Sequence, residues 1–216
     1  MARRKHSPSE HPPGRSPKAR RQLAQPVGVR IIGGRFRGRR LRYRGDPRVR
    51  PMKDRVREAV FNLLGPCVRG KHAVDLFAGT GALGLEALSR GAARATLIDQ
   101  HHPTARVLRE NVAALGVESI AEVIVANALL RARWEDRLGD TPWLVFCSPP
   151  YAFYIERAGA MLELLVGLLA TAPLESVLVV EADERFDFQR LPDPTAWDVR
   201  AYPPAVIGIY EKTPGD

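Results

Sequence analysis

The chain has 216 residues, of which 45% are hydrophobic and 26% are charged, a composition that is ordinary for a soluble globular protein with one sizeable core. Its net charge of +9 is unevenly distributed, because residues 1–57 carry 19 Lys and Arg against three acidic residues, whereas residues 58–216 carry 14 basic and 21 acidic residues. A basic front of this kind indicates contact with a polyanion such as nucleic acid, although a solubilising tail would have the same composition.

The sequence contains no feature typical of a secreted or membrane protein. Cys67 and Cys147 are its two thiols, and both lie beside apolar residues, so we expect a reducing compartment and no disulfide framework. The most apolar stretch, residues 158–169, is too short for a membrane span and contains Glu163. The N-terminus lacks the apolar segment of a signal peptide. We therefore predict a cytoplasmic protein that has no membrane contact.

The first 70 residues are predicted to form a tail and an appendage. Residues 1–26 contain five prolines and few large apolar side chains, and we expect this basic tail to be disordered. Residues 27–70 follow as a basic hairpin and a helix. The hairpin is indicated by a strand-like segment at residues 29–32, the pair Gly33-Gly34, and an Arg-rich segment at residues 35–41.

The helix of the appendage is predicted at about residues 54–64, with Asp54 as its N-cap. Its apolar stripe recurs at helical spacing, and Arg55 and Arg57 fall outside that stripe. The stripe consists of Val56, Val60, Leu63 and Leu64.

From residue 71 to residue 216 the pattern alternates strand and helix, which predicts an α/β domain with a Rossmann-like, mostly parallel sheet. We place strands at residues 73–77, 95–99, 122–126, 143–147 and 177–181. Helices are predicted at residues 83–89, 104–115 and 155–170, with Gly91 and Gly116 as C-terminal stops. Residues 197–201 and 206–211 are predicted to close the sheet as an antiparallel pair.

A glycine turn after the first of these strands predicts a cofactor site. Gly79, Gly81 and Gly84 form G-x-G-x-x-G, which lets a nucleoside cofactor approach the backbone at a helix N-terminus. Asp99, near the end of the next strand, is placed to hold ribose hydroxyls, an arrangement that fits a nicotinamide dehydrogenase equally well. Asp99 is also compatible with an ordinary strand-end turn.

Asp75 favours S-adenosylmethionine over a dinucleotide. A carboxylate just before the turn can accept hydrogen bonds from the ammonium of a methionyl group, whereas it would repel a pyrophosphate. Asn127 and Ala128, after the third strand, could read an adenine edge. Asp75 could instead cap a helix, and Asn127 could be a plain turn residue. The complete predicted cofactor site is Asp75, Phe77, Gly79, Thr80, Gly81, Asp99, Asn127 and Ala128.

The segment Ser148-Pro149-Pro150-Tyr151 is the candidate catalytic motif. It ends a buried strand at the carboxyl edge of the sheet, where open α/β folds bind ligands. A Pro-Pro turn can offer a carbonyl oxygen to one hydrogen of an exocyclic amine, while the Ser148 side chain accepts the other and Tyr151 stacks on the base. The alternative is a rigid surface turn followed by a core aromatic.

The substrate is expected to contact the basic N-terminal part of the chain, residues 1–57. We predict substrate binding at Arg35 and Arg37 of the hairpin and at Arg50, Asp54 and Arg55 around the first helix. No metal site is predicted, because the pair His101-His102 lacks companion Cys or carboxylate residues at ligand spacing.

With these motifs in view, residues 30–210 resemble the bacterial small-subunit rRNA guanine-N2 methyltransferases, the RsmD-like family of class I S-adenosylmethionine enzymes. The similar stretches are the hairpin of residues 30–41, residues 50–58 with Lys53 where threonine is usual, and residues 84–92 after the glycine turn. The resemblance implies that Asp75, Gly79, Gly81, Asp99 and Asn127 line the cofactor site and that residues 148–151 hold guanine. Ser148 replaces the usual Asp, and a hydroxyl accepts hydrogen bonds more weakly than a carboxylate does.

The expected reaction is direct transfer of the S-adenosylmethionine methyl group to the 2-amino group of a guanine in 16S rRNA. The expected partner is ribosomal RNA or a small-subunit assembly intermediate, bound by a monomer. Two alternatives stay open. The first is an amino-methyltransferase acting on DNA adenine or cytosine, because Ser-Pro-Pro-Tyr is similar to the form used by cytosine-N4 DNA methyltransferases. A catalytically decayed RNA-binding assembly factor is the other.

Overall fold

The protein is described by a computed structural model over residues 28–43, 45 and 51–214. The predicted disordered tail and Arg50 lie outside the described residues. Among the described residues, seven strands form one sheet in the order β3-β2-β1-β4-β5-β7-β6. They are β1 His72–Asp75, β2 Arg94–Ile98, β3 Ala121–Ile124, β4 Trp143–Cys147, β5 Val177–Asp183, β6 Asp198–Tyr202 and β7 Ala205–Glu211.

Strands β1 to β5 run parallel, and β7 pairs antiparallel with both β5 and β6. The predicted α/β fold with a mostly parallel sheet and a C-terminal antiparallel pair is therefore confirmed. The first three strands end earlier than predicted, so Phe77, Asp99 and Ala126 lie in the loops that follow them.

Within the described ranges, five α-helices pack around the sheet, namely α1 Asp54–Leu64, α2 Ala82–Ser89, α3 His102–Leu115, α4 Phe153–Glu156 and α5 Ala158–Thr171. The prediction of one helix at residues 155–170 is wrong, because Arg157 leaves the helical conformation with φ −130° and ψ 31° and divides the segment in two. Gly116 ends α3 in the left-handed conformation as predicted, and Gly91 follows α2 with φ +107°. None of the helices in the described ranges is long and apolar enough to cross a bilayer.

Both faces of the inner parallel strands β1, β4 and β5 are buried, and successive residues of a strand point to opposite layers. In β1, Ala73 packs in the layer that contains α1, α2 and α3, while its neighbour Val74 packs in the layer that contains α5. Leu97 and Ile98 divide in the same way in β2. Two covered faces explain why β4 and the first four residues of β5 are continuously apolar instead of alternating with polar residues.

The hairpin belongs to the same hydrophobic core as the sheet. An antiparallel bridge between Arg30 and Arg40 closes it around a short 3-10 helix, Gly34–Phe36. Its inward side chains Val29, Ile31 and Leu41 are buried in the layer that contains α1, α2 and α3. The appendage proposed for residues 27–70 is thus packed onto the sheet domain over its described part.

One prediction about α1 is wrong, and one residue outside its apolar stripe is buried. Arg57, placed off the apolar stripe, is fully buried, because its guanidinium donates to the carbonyl oxygens of Arg30 at 2.6 Å and Met52 at 3.1 Å and to the Asp54 carboxylate at 3.0 Å. Asp54 is the first helical residue and not the cap, a position that Lys53 occupies. The Asp54 carboxylate instead bridges Arg57 and Arg30, the latter at 3.0 Å.

Helix α2 holds the hairpin through two polar side chains. The fully buried Glu86 carboxylate accepts hydrogen bonds from the backbone N–H groups of Ile32 and Gly33, each at 2.7 Å. Ser89 accepts from the N–H of Phe36 at 2.9 Å. Gly34 has φ +73°, and a Cβ there would lie 1.9 Å from the Ser89 carbonyl oxygen, so the hairpin can dock this closely only with glycine at that position.

Candidate active site at the carboxyl edge of the sheet

The carboxyl ends of β1, β4 and β5 lie side by side. Asp75, the last residue of β1, is in register with Phe146 of β4, and Cys147 at the end of β4 is in register with Val180 of β5. The loops that leave β1, β2 and β4 therefore start from one edge, and this edge brings the predicted glycine turn, Asp99 and the Ser148 motif together.

The glycine turn has the conformation that its sequence predicts. Gly79 and Gly81 have φ +53° and +82°, which side-chain-bearing residues rarely adopt. The turn leads into α2, and a Cβ at Gly84 would lie 2.2 Å from the Leu97 side chain, so this glycine allows α2 to pack against the sheet. The Gly79 N–H donates to the Asp99 carboxylate at 3.1 Å, which ties the turn to the end of β2.

Asp75 is buried beneath this turn with one carboxylate oxygen unused. Its Oδ2 accepts from the Gly84 N–H at 3.1 Å, whereas its buried Oδ1 has no hydrogen-bond partner in the described part of the chain. Burial, together with the nearby charge of Asp99, raises the pKa of Asp75 from 3.8 to about 7. A buried acceptor without a donor costs free energy, so this carboxylate suits a ligand that brings a cationic N–H group.

Asp99 and Asn127 are both engaged in local turns. Asp99 is partly exposed, and its second oxygen accepts from the N–H of His101 at 2.8 Å. Asn127 accepts from the N–H of Leu129 at 3.1 Å, which is the turn geometry that was the alternative to adenine recognition. Ala128 is buried, and its carbonyl oxygen accepts from the indole of Trp134 at 3.2 Å.

The remaining two residues of the predicted cofactor set lie in the loop after β1. Thr80 is buried, and its carbonyl oxygen accepts from the side chain of Asn111 at 2.9 Å. The same Asn111 amide bonds both backbone groups of Arg42, so it links the glycine turn to the hairpin. Phe77 makes an edge-to-face contact with Phe153, with ring centroids 6.1 Å apart.

The Ser148 motif begins directly after β4. Ser148 and Tyr151 are half-buried, Pro149 is buried, and Pro150 is exposed. The Pro150 carbonyl oxygen accepts from the N–H of Phe153 at 2.9 Å, whereas no hydrogen bond among the described residues uses the carbonyl oxygen of Pro149. The free carbonyl that the motif was predicted to offer an amine is therefore that of Pro149.

One further residue of this site was not predicted. Glu181, near the end of β5 and 7% exposed, accepts hydrogen bonds from the hydroxyl of Ser148 and from the Tyr151 hydroxyl at 2.9 Å. The sequence contained a signal for it, because Glu181 follows four apolar residues at a predicted strand end. What joins it to the motif is the pairing of β4 with β5.

The predicted substrate contacts lie on and near the hairpin. Arg35, Arg37 and Arg55 are exposed, and the guanidinium of Arg35 lies 4.4 Å from the centre of the Phe36 ring. Asp54 differs from them, because its carboxylate is occupied by Arg30 and Arg57. Over residues 28–43, 45 and 51–214, no group of three or more His, Cys, Asp or Glu side chains could hold a metal ion.

Comparison with known proteins gives consistent relatives. The family model described as Conserved hypothetical protein 95 matches residues 29–200. The chain is 44% identical over 123 residues to ribosomal RNA small subunit methyltransferase D of Escherichia coli strain K12, a match that covers 57% of this chain and 60% of that protein. The aligned part thus spans about three fifths of the length of that relative.

Solved structures share the fold. The yhhF protein of Escherichia coli matches with a TM-score of 0.68 and 33% identity over 86% of this chain and 98% of that one. RsmC, a Thermus thermophilus 16S rRNA N2 methyltransferase in complex with AdoMet and guanosine, matches with a TM-score of 0.61 over 78% of this chain and 44% of that one. At 19% identity the latter shows a common fold alone. The family model, in contrast, matches most of the described chain, which therefore belongs to the family described as Conserved hypothetical protein 95, the RsmD-like family that its motifs resemble.

Proposed function

We propose that this protein transfers the methyl group of S-adenosylmethionine to the exocyclic 2-amino group of a guanine in small-subunit ribosomal RNA. One observation carries the proposal. The Ser148 motif starts at the end of β4, next to β1, and β1 leads into the glycine turn, so the base-binding motif and the cofactor turn share one edge. The name of the Escherichia coli relative, a small-subunit rRNA methyltransferase, supports the choice of RNA over DNA.

The unused oxygen of Asp75 supports S-adenosylmethionine as the cofactor. Its Oδ1 needs a donor, and the ammonium of a methionyl group is a donor of the right charge. The pyrophosphate of a dinucleotide would be repelled by the same carboxylate. Asp99 would accept hydrogen bonds from ribose hydroxyls with its partly exposed carboxylate while it holds the Gly79 N–H. The bound cofactor supplies an electrophilic methyl group on a sulfonium.

The residues of the motif orient the nucleophile. The Pro149 carbonyl oxygen and the Ser148 hydroxyl oxygen would accept the two hydrogens of the amine, so that its lone pair points at the methyl group instead of conjugating with the ring. The Tyr151 ring would stack on the base. The chain thus contributes positioning and fixed dipoles, and no covalent enzyme intermediate is required.

The RNA would approach across the hairpin. Five arginines of residues 35–42 in the described hairpin are exposed, and clustered cations of this kind bind phosphate backbones. They are Arg35, Arg37, Arg39, Arg40 and Arg42. The proposal also includes a cytoplasmic protein that acts as a monomer on ribosomal RNA or on a small-subunit assembly intermediate.

The test is a nucleoside analysis after incubation of the protein with labelled S-adenosylmethionine and small-subunit rRNA from cells that lack it. We expect label in N2-methylguanosine, and we expect Tyr151→Ala to lose more of it than Tyr151→Phe, because stacking needs the ring. In a parallel incubation with DNA, label in N6-methyladenine or N4-methylcytosine, with none in the rRNA, would refute the RNA substrate. Cofactor binding without transfer to any RNA would refute the enzyme and favour the assembly factor.

A further inference from the structure

The hydrogen of the Ser148 hydroxyl is already used in a hydrogen bond. Its hydroxyl donates to Oε2 of Glu181, and the Tyr151 hydroxyl donates to Oε1 of the same carboxylate at 2.9 Å. A single carboxylate therefore holds both side chains that the proposed reaction needs. This juxtaposition follows from the parallel register, in which Cys147 lies opposite Val180 and the next residues on the two strands are Ser148 and Glu181.

This arrangement decides which way Ser148 can act on a base. A hydroxyl has one hydrogen and two lone pairs, and once its hydrogen is given to a carboxylate the oxygen can only accept. An acceptor that itself donates to an ionised group is polarised, so it accepts more strongly than an isolated hydroxyl does. The pair of Ser148 and Glu181 thus places negative charge one hydrogen bond away from the amine.

We propose that Glu181 is the positioning residue of this site: it fixes the Ser148 hydroxyl as an acceptor for the target amine and fixes the Tyr151 ring beside the base. The inference rests on the proposed methyl transfer. In that step a nitrogen–carbon bond forms as the carbon–sulfur bond breaks, the nitrogen becomes positively charged, and one of its protons then leaves to water. Glu181 stabilises this developing charge through Ser148, which compensates for the absence of a carboxylate at position 148.

The first test compares the parent with Glu181→Gln, Ser148→Ala and the double variant. Gln has the shape of Glu and still accepts from Tyr151, but it lacks the charge. We expect Glu181→Gln to lower kcat about tenfold or more, as for a lost charge-assisted hydrogen bond, with KM for RNA within about twofold. In the Ser148→Ala background the same change should alter kcat by less than about twofold, because the coupling runs through Ser148.

A second readout does not depend on turnover. The urea midpoints of the same four proteins, measured without cofactor, should be non-additive, because each single change already removes the Ser148–Glu181 hydrogen bond. The matched control is Glu211→Gln, an exposed glutamate on the neighbouring strand β7 at the opposite end of the sheet, in register with Val177. It should leave kcat and the midpoint unchanged.

A rescue experiment tests whether Glu181 acts through its negative charge or only supports the loop structurally. Adding Ser148→Asp to Glu181→Gln returns a carboxylate to the amine directly, so turnover should recover most of the loss, whereas a residue that only braces the loop would not be rescued. An inactive parent refutes the proposed function. An active parent whose Glu181→Gln variant keeps full kcat, or whose kcat and midpoint changes are additive, refutes the role of Glu181 and leaves the proposed function intact.

Discussion

Replacement of Glu86 with alanine tests how the basic hairpin is held on the domain. The Glu86 carboxylate is fully buried, accepts from the N–H groups of Ile32 and Gly33 at 2.7 Å, and pairs with Arg90 at 2.8 Å. It also lies 3.9 Å from Arg57, whose guanidinium is fully buried and whose pKa burial lowers. Glu86→Ala therefore leaves two backbone donors without their acceptor and removes one of the two carboxylates near a buried cation.

The expected cost follows from these contacts. A buried donor without an acceptor costs about 1–3 kcal/mol, and removal of one partner from a buried ion pair costs about 3–5 kcal/mol in total. Water can enter beside the hairpin, which is only partly buried, so we expect the two effects to overlap and the free energy of unfolding to fall by about 3–5 kcal/mol. With a urea slope of about 2 kcal/mol per molar, the midpoint should fall by about 1.5–2.5 M.

Urea unfolding measures this loss, and limited trypsin digestion reports where it occurs. The hairpin arginines should become cleavable in Glu86→Ala before the rest of the chain unfolds, because the hairpin loses its main polar attachment. Glu86→Gln keeps one carbonyl acceptor and should cost about half as much. Glu118→Ala, at an exposed glutamate, is the control and should stay within about 0.5 kcal/mol of the parent. An unchanged midpoint and digestion rate in Glu86→Ala would refute the reasoning.

Three further outcomes are expected. Because burial raises the pKa of Asp75 to about 7, the folded state keeps a proton that the unfolded chain releases above about pH 4. The free energy of unfolding should therefore fall as the pH rises from about 4 to about 7. Asp75→Asn should remove this pH-dependent loss of stability, measured by urea unfolding at several pH values, and should also weaken S-adenosylmethionine binding. A variant with the same pH dependence as the parent would contradict this role of Asp75. Asp99→Ala should weaken the same binding by about 1–3 kcal/mol in calorimetry, since it removes the partner of the Gly79 N–H and the proposed acceptor for the ribose hydroxyls; tight NAD binding by the parent would overturn the assignment. Arg37→Ala and Arg55→Ala should each lower the salt dependence of RNA affinity by about one unit of slope without changing cofactor affinity, whereas equal effects from the exposed Arg200→Ala on β6 would argue against a hairpin interface.

Local patterns were sufficient where the physical cause is local. The apolar strands, the helix stops at Gly91 and Gly116, and the glycine turn all follow from backbone preference and periodicity, and the structure has them. The division of the helix predicted at residues 155–170 could not be read in this way, since residues on both sides of Arg157 are good helix formers.

Long-range packing determines the burial and the hydrogen-bond partners of the polar side chains of α1. Arg57 lies outside the apolar stripe of α1, yet it is buried, and carbonyl oxygens and a carboxylate from more than one element accept from two of its three guanidinium nitrogens. Asp54 likewise looked like a cap until the ion pair with Arg30, 24 residues earlier, gave its carboxylate another partner.

The sequence by itself determined the fold class and placed the glycine turn, Asp99 and the Ser148 motif, but not Glu181, at the carboxyl edge, because strand ends and glycine turns are local features that a parallel sheet must bring to one side. Only the tertiary structure decided how these residues are paired. Ser148 and Glu181 lie 33 residues apart and meet because β4 and β5 are adjacent and in a particular register. Register depends on side chains of both strands and of the helices that cover them, so no single segment of the sequence encodes it.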